Sequence, residues 1–378
     1  MRILHLINAL DRGGIEMWLV SLLKKIPHNQ YIMDVCCRGA SIGEMADDVI
    51  ALGVTVYHVP FGAFHVGFYR GLKQVLIEGK YDILHNHMET YSGFSTWIAN
   101  HVKVPVITSY HNTHTPPQTS LTRQLGIRQL RALYGKVSID YAIQHSDYLT
   151  ACSQSVLDSF NITDHPRAEV LYYGIDIPQK IDSNARSELR LSFGWQPSDP
   201  MLIHVGRFYE QKNHTGLLQI FEHVRKQIPN VRLLLVGDGM LRPQIEASIH
   251  SKNLTDVVHF SGMRDDVSDL LQCADLFVMP SLYEGFGLAA LEASAAGLPV
   301  IGSLTTGLIE AVEDNNTGYL FPIDDIEGMA TACIELLNHP AKRLKIGQHG
   351  KARAEVQFGW DVCISKLERL YDACYRGS

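Results

Sequence analysis

ADLFVMPSLYEGFGLAALEASAAGLPVIGS, Ala274 to Ser303, holds a complete folding unit. It opens on a continuous apolar run, Leu276–Met279, as expected of a strand covered on both faces. A glycine-rich loop, Glu284–Gly287, leads into a helix of small apolar residues, which Gly297 and Pro299 stop. A second apolar run, LPVIGS, follows at once. Strand, loop, helix and strand in this order make a parallel βαβ unit. One residue resists the packing argument. Glu292 sits in a helix that is apolar on nearly every side, where a carboxylate costs about several kcal/mol unless something pairs with it.

The same grammar extends in both directions. Upstream, RILHLIN, MDVCCRG, VTVYHVP, YDILHNH, VPVITSYH and SDYLTACS alternate with helical patterns, starting with IEMWLVSLLKKI after Gly13-Gly14. After EVLYYGIDIPQ the pattern restarts with MLIHVGR, VRLLLVGDG and VVHFSG before reaching the opening stretch. Two such runs predict an α/β protein of two doubly wound, Rossmann-like domains. The expected linker is Gly174–Asn184, around Pro178 and a polar KIDSN run. The domains are therefore expected at 1–174 and 175–357, and an amphipathic helix within 358–378 ends the chain.

Composition narrows the classes. The 378 residues are 46% hydrophobic and 19% charged, an ordinary globular balance. A net charge of −7 argues against nucleic acid as the main partner. No apolar run approaches the ~18 residues of a membrane span. MRILHLINAL reads as a buried strand and not as a signal peptide. Seven cysteines without a C-x-x-C pair fit reduced thiols used as core filler and a cytoplasmic location.

In open parallel sheets, ligands bind beyond the carboxyl ends of the strands. HVGRFYEQKN delivers Arg207 and Lys212 to such a place, two loop cations suited to a diphosphate and, as exposed charges, removable without cost to folding. Gly237-Asp238-Gly239 forms a strand-to-helix turn that could offer backbone donors, and Gly13-Gly14 holds the same place in the first domain. A dinucleotide fingerprint would need glycine at Arg242, so a nicotinamide oxidoreductase is disfavoured. Free amides at the start of the alanine-rich helix suit an anion. Glu292, just over a turn further in, suits a neutral polyol such as a ribose; Glu284 would face what lies beyond the phosphates.

Together VGRFYEQKN, VGDG, FSG and EGFGLAALE resemble the retaining nucleotide-sugar glycosyltransferases of family 4 (group 1), bacterial polysaccharide-assembly enzymes of the GT-B fold. The resemblance covers most of residues 2–370, and Glu284 and Glu292 match the E-x7-E motif of that family. It implies domains that face a central cleft, with the last helix returning to the first domain. It implies Arg207 and Lys212 on the donor diphosphate, Glu292 on the ribose, and Glu284, Gly285, Phe286, Gly287 and Leu288 on the transferred sugar. Gly13, Gly14, Gly237, Gly239 and Met263 join the expected donor-binding set. The histidine of TSYH, His111, is expected beside the donor sugar, so that His111, Glu284, Arg207 and Lys212 form the catalytic group. The implied reaction moves a sugar, most simply from a UDP-sugar, to a glycan or lipid-linked acceptor in polysaccharide biosynthesis. A nucleotide-sugar epimerase, a GDP-mannose-dependent mannosyltransferase and a non-catalytic sugar-binding protein stay as alternatives.

His85, His87, His111 and His114 cluster at two strand ends and invite a zinc reading, but no carboxylate or thiol lies close in those loops. No D-x-D triplet appears either, so neither a metal nor another cofactor is expected. Leu121–Lys136 carries Arg123, Arg128, Arg131 and Lys136 between leucines and no acid. It reads as a helix packed on its own domain, or as peripheral contact with the inner face of the cell membrane.

Overall fold

The computed structural model describes residues 1–62, 65–113 and 125–377, the side chains of 125–129 excepted. The chain forms two compact units: Met1–Gly174 together with Trp360–Ser378, and Ile175–Gly359. His114, and residues 121–124 of the basic segment, lie outside the described residues.

Among the described residues, the first unit is built on a seven-stranded parallel sheet in the order β3-β2-β1-β4-β5-β6-β7. Its strands are β1 (Arg2–Ile7), β2 (Ile32–Cys37), β3 (Val56–His58), β4 (Ile83–Asn86), β5 (Val106–Tyr110), β6 (Tyr148–Ala151) and β7 (Ala168–Val170). β1 is central, with Ile3 opposite Met33 on one side and Ile83 on the other. It is buried from Ile3 to Ile7 because helices cover both faces, which is why its sequence is an unbroken apolar run apart from His5. The last helix, Trp360–Arg376, belongs to this unit, with Leu367, Leu370 and Tyr371 buried. Trp360 stacks on Trp18, with ring centroids 6.4 Å apart.

The second unit carries a six-stranded parallel sheet, β10-β9-β8-β11-β12-β13, among the described residues. The strands are β8 (Met201–Val205), β9 (Arg232–Val236), β10 (Val258–Gly262), β11 (Leu276–Met279), β12 (Val300–Ser303) and β13 (Gly318–Phe321). The βαβ unit of the opening stretch is β11, the helix Leu288–Ala295 and β12, with Phe277 paired to Val300 and Val278 to Ile301. Small residues in that helix answer to a close neighbour, the helix Pro340–Phe358. A side-chain carbon at Gly347 would lie 2.0 Å from the Gly297 carbonyl oxygen, and one at Gly350 3.4 Å from Ser294. The main core packs β8, β9 and β11 against helices His214–Gln227 and Ile326–Asn338, with Phe208, Phe221 and Leu235 fully buried.

Each sheet has one place where the order reverses. From β8 the chain builds outward through β9 and β10; from β11 it builds the other way. The crevice beyond the carboxyl ends of β8 and β11 is the topological switch point of this unit, and β1 and β4 form that of the first. None of the seven cysteines is disulfide-bonded and all are buried. Among the described residues, no helix is long and apolar enough to cross a membrane.

Candidate functional site

At the switch point of the second unit, the loops after β8 and β11 are laced together. The Leu282 amide donates to the Gln211 carbonyl at 2.8 Å, and Gln211 Nε2 to the Tyr283 carbonyl at 3.0 Å. Asn213 lies in the left-handed region (φ 49°), donates from Nδ2 to the Pro280 carbonyl at 3.0 Å, and caps the next helix by accepting from the Gly216 amide. This lacing brings Lys212 and Glu284 together: Nζ lies 2.7 Å from Oε1. Lys212 is thus not the solvated cation that its loop position suggests. Its side chain keeps 15% exposure and that of Glu284 7%, because β8 and β11 are neighbours although the two residues are far apart in sequence. Arg207 is exposed, its guanidinium 5.3 Å from the ring centre of Tyr209, and no carboxylate pairs with it among the described residues.

The helix Leu288–Ala295 begins at the same crevice. Gly287 is its N-cap, at φ 87° and ψ 47°, a conformation that side chains disfavour. No side chain caps the helix, and the amides of Leu288 and Ala289 have no hydrogen-bond partner among the described residues. Phe286 is buried and faces Phe358 at 5.6 Å. Two acids from the same thirty-residue stretch behave oppositely. Asp275, before β11, meets Arg190 at 2.8 Å, Arg186 at 2.9 Å and Arg343 at 3.4 Å. Burial alone would raise its carboxyl, but these guanidinium groups hold it below the ordinary carboxylate range. Glu292 has no hydrogen-bond or ion-pair partner among the described residues; burial first, and the charge of Asp176 second, push its carboxyl up to about 7. Asp275 is a structural anchor. Glu292 is an acceptor without a donor.

The glycines of VGDG serve packing. A side-chain carbon at Gly237 would lie 2.2 Å from the Gly206 carbonyl oxygen, and the two amides donate internally, Gly237 to Gly262 and Gly239 to Asp238 Oδ1. Met263 follows β10 and is half exposed.

In the first unit, Gly13 is the N-cap of the helix Gly14–Lys25, in ordinary extended geometry, and Gly14 is exposed. The histidines form a buried chain. His5 Nδ1 is 3.0 Å from His87 Nε2, His87 Nδ1 is 2.9 Å from His111 Nε2, and His111 Nδ1 is 2.7 Å from the Tyr173 hydroxyl. His85 bonds the Tyr371 hydroxyl at 2.9 Å and Ser109 Oγ at 2.7 Å. Burial lowers all four, His5 and His111 to about 3, so they are neutral imidazoles at working pH. His111 therefore has both ring nitrogens engaged, one by His87 and one by Tyr173. His5, His85 and His87 could gather a metal, with ligand atoms within 4.8 Å of one another. His5 joins them because β1 lies beside β4, a neighbourhood that a lone histidine in an apolar strand does not announce.

Residues 12–179 match the family described as Glycosyltransferase Family 4, and residues 185–353 match Glycosyl transferases group 1. The chain is 28% identical to the N-acetyl-alpha-D-glucosaminyl L-malate synthase of Bacillus anthracis, over 77% of this chain and 74% of that protein. It is 27% identical to the D-inositol 3-phosphate glycosyltransferase of Xylanimonas cellulosilytica, over 96% of this chain and 92% of that one. Among solved structures, Anabaena HepE in complex with UDP superposes with a TM-score of 0.83 at 20% identity, covering 99% of this chain and all (100%) of that one. Its fold, and that of this chain, is GT-B.

Proposed function

The chain belongs to the family 4 and group 1 glycosyltransferases, and from that premise we propose that it transfers a sugar from a UDP-sugar to a glycan or lipid-linked acceptor, retaining the anomeric configuration. The observation that carries the donor assignment is Glu292: a half-buried carboxyl without a donor, next to a helix start with two open amides. Ribose hydroxyls would supply the missing donors, and the diphosphate would take the amides of Leu288 and Ala289 with Arg207 and Lys212. Support for uridine comes from the HepE fold neighbour, which binds UDP.

In the reaction, the bond from the anomeric carbon to the β-phosphate oxygen breaks and a bond from that carbon to the acceptor oxygen forms on the same face. The acceptor's proton passes to the departing phosphate, whose charge Arg207, Lys212 and the helix amides stabilise. Glu284, held by Lys212, would meet the transferred sugar in this reading. His111 takes part through its place in the chain from His87 to Tyr173, and would touch a sugar only by exchanging one of those bonds. The cations stand in for a divalent metal in this reading, with the reaction on the cytoplasmic side in polysaccharide assembly.

Calorimetry with UDP and 2′-deoxy-UDP tests it. UDP should bind the native protein at least 10-fold tighter than the deoxy compound, and Glu292→Gln should remove most of that difference. Equal affinities in the native protein would overturn the ribose assignment. Turnover of UDP-sugars in EDTA should match turnover without it.

A further inference from the structure

His204 sits near the carboxyl end of β8 and is fully buried. Its Nδ1 lies 2.8 Å from the Val278 carbonyl of β11. A carbonyl only accepts, so Nδ1 carries the proton. Burial first, and the charge of His214 second, hold the imidazole well below its ordinary range, so the ring is neutral and Nε2 is a bare lone pair. That lone pair is buried and accepts no hydrogen bond among the described residues. Two side chains with protons to give stand beside it. His214 meets the ring edge to face, with centroids 5.0 Å apart, and makes no hydrogen bond to it. Lys212 borders the same small gap: a side-chain carbon at Gly206 would lie 3.2 Å from His204 Nε2 and 3.3 Å from Lys212 Cε. Glycine at 206 leaves that gap open.

The ammonium of Lys212 has three hydrogens and, among the described residues, one partner, Glu284 Oε1. Its side chain is mostly buried, so hydrogens left unused cost stability. A buried acceptor without a donor and an under-used donor thus border one gap, at the crevice where the diphosphate is placed. An anion arriving there competes with Glu284 for the ammonium. Rotation about the last bonds of the flexible lysine stem can carry Nζ from the carboxylate toward the gap. A neutral acceptor holds the ammonium without neutralising it, so its whole charge stays available to a phosphate.

We propose that His204 is a positioning residue for Lys212: with donor bound, its Nε2 accepts from the ammonium, which turns from Glu284 to the diphosphate and frees that carboxylate for the transferred sugar. The inference rests on the donor reading of this crevice. Calorimetry with UDP, UMP and inorganic pyrophosphate tests it on native protein, His204→Asn and His204→Gln. An asparagine amide reaches the place of Nδ1 and keeps the bond to Val278, but offers nothing at the place of Nε2. A glutamine oxygen reaches the place of Nε2. His204→Asn should bind UDP and pyrophosphate about 10-fold or more weaker than native protein, with UMP unchanged, and His204→Gln should stay within about 3-fold of native. His204→Asn should nevertheless melt no lower than His204→Gln, because it keeps the tie between β8 and β11. In Lys212→Ala/Glu284→Gln protein, adding His204→Asn should weaken UDP binding no further. UDP affinity unchanged in His204→Asn, an equal loss for UMP, or a glutamine variant no better than the asparagine one overturns the role of His204 and leaves the donor reading standing. Pyrophosphate bound with this dependence on His204, but UDP not bound, refutes the uridine donor and supports the role of His204. Native protein that binds neither UDP nor pyrophosphate overturns both.

Discussion

At Glu292, burial and the charge of Asp176 act in one direction, raising the carboxyl from an ordinary 4.5 to about 7. Because the folded value is raised, the native state binds the extra proton between those limits. The stabilisation is complete below about 4.5 and lost as pH climbs through about 7. Glu292→Gln should therefore leave stability near native at pH 5 and raise it by about 2–3 kcal/mol at pH 8, read from denaturant midpoints. A ribose donates to the ionised form, so UDP affinity should rise with pH through 7 in native protein and stay flat in the glutamine variant. Lys212 and Glu284 call for a different test. Removing the lysine alone strands a buried carboxylate, so Lys212→Ala should cost roughly 3 kcal/mol, as well as about 100-fold in turnover. Adding Glu284→Gln should restore much of the stability and none of the turnover; full additivity of the two stability losses would mean that the pair does not interact in solution. The pairing was not legible in the sequence, where Lys212 reads as an exposed loop cation. It depends on β8 and β11 being neighbours, which is a property of strand order.

On the scale of elements, two glycines with similar backbone strain should answer substitution differently. At Gly287 (φ 87°) an added carbon meets the Leu308 Cδ1 methyl at 2.8 Å, the end of a side chain that can turn away. At Gly237 (φ 125°) it meets the Gly206 carbonyl oxygen at 2.2 Å, fixed main chain of a central loop. Gly287→Ala should cost about 1–2 kcal/mol and weaken UDP binding by tilting the helix start, whereas Gly237→Ala should cost more than about 3 kcal/mol. Equal losses in urea titrations would show that the Gly206–Gly237 approach relaxes freely. The long apolar runs announced their strands because parallel sheets bury both faces. β13 did not: Gly318–Phe321 is a short run after the polar turn Asp314–Thr317, and only its pairing with β12 makes it a strand. The helix start at Gly287 was legible, since glycine, loop and alanine run are local signals. The roles of the VGDG glycines were not, because the main chain they approach comes from another loop.

For the whole molecule, the split at Gly174 and Gly359 means that the first unit is assembled from both ends of the chain. Its closing segment contributes a specific bond, Tyr371 to His85, at the centre of the sheet. Tyr371→Phe should destabilise the first unit by about 1–2 kcal/mol, since a buried imidazole nitrogen loses its partner. Hydrogen exchange should speed up in β4 and β5 while β8 and β11, and the affinity for UDP, stay as in native protein. Exchange that rises equally in both sheets would show a single cooperative unit instead.

The same discontinuity sets an order of events during synthesis. When Gly174 leaves the ribosome all seven strands of the first sheet are present, yet the segment that supplies Trp360 and Tyr371 has not been made. The nascent chain must first emit the entire second unit, which at about 5–20 residues per second takes on the order of ten seconds or more. Throughout that interval His85 and the apolar surface around Trp18 and Tyr31 stand uncovered. The second unit, made as one uninterrupted segment, can finish folding while the older half is still waiting for its last seventeen-residue helix.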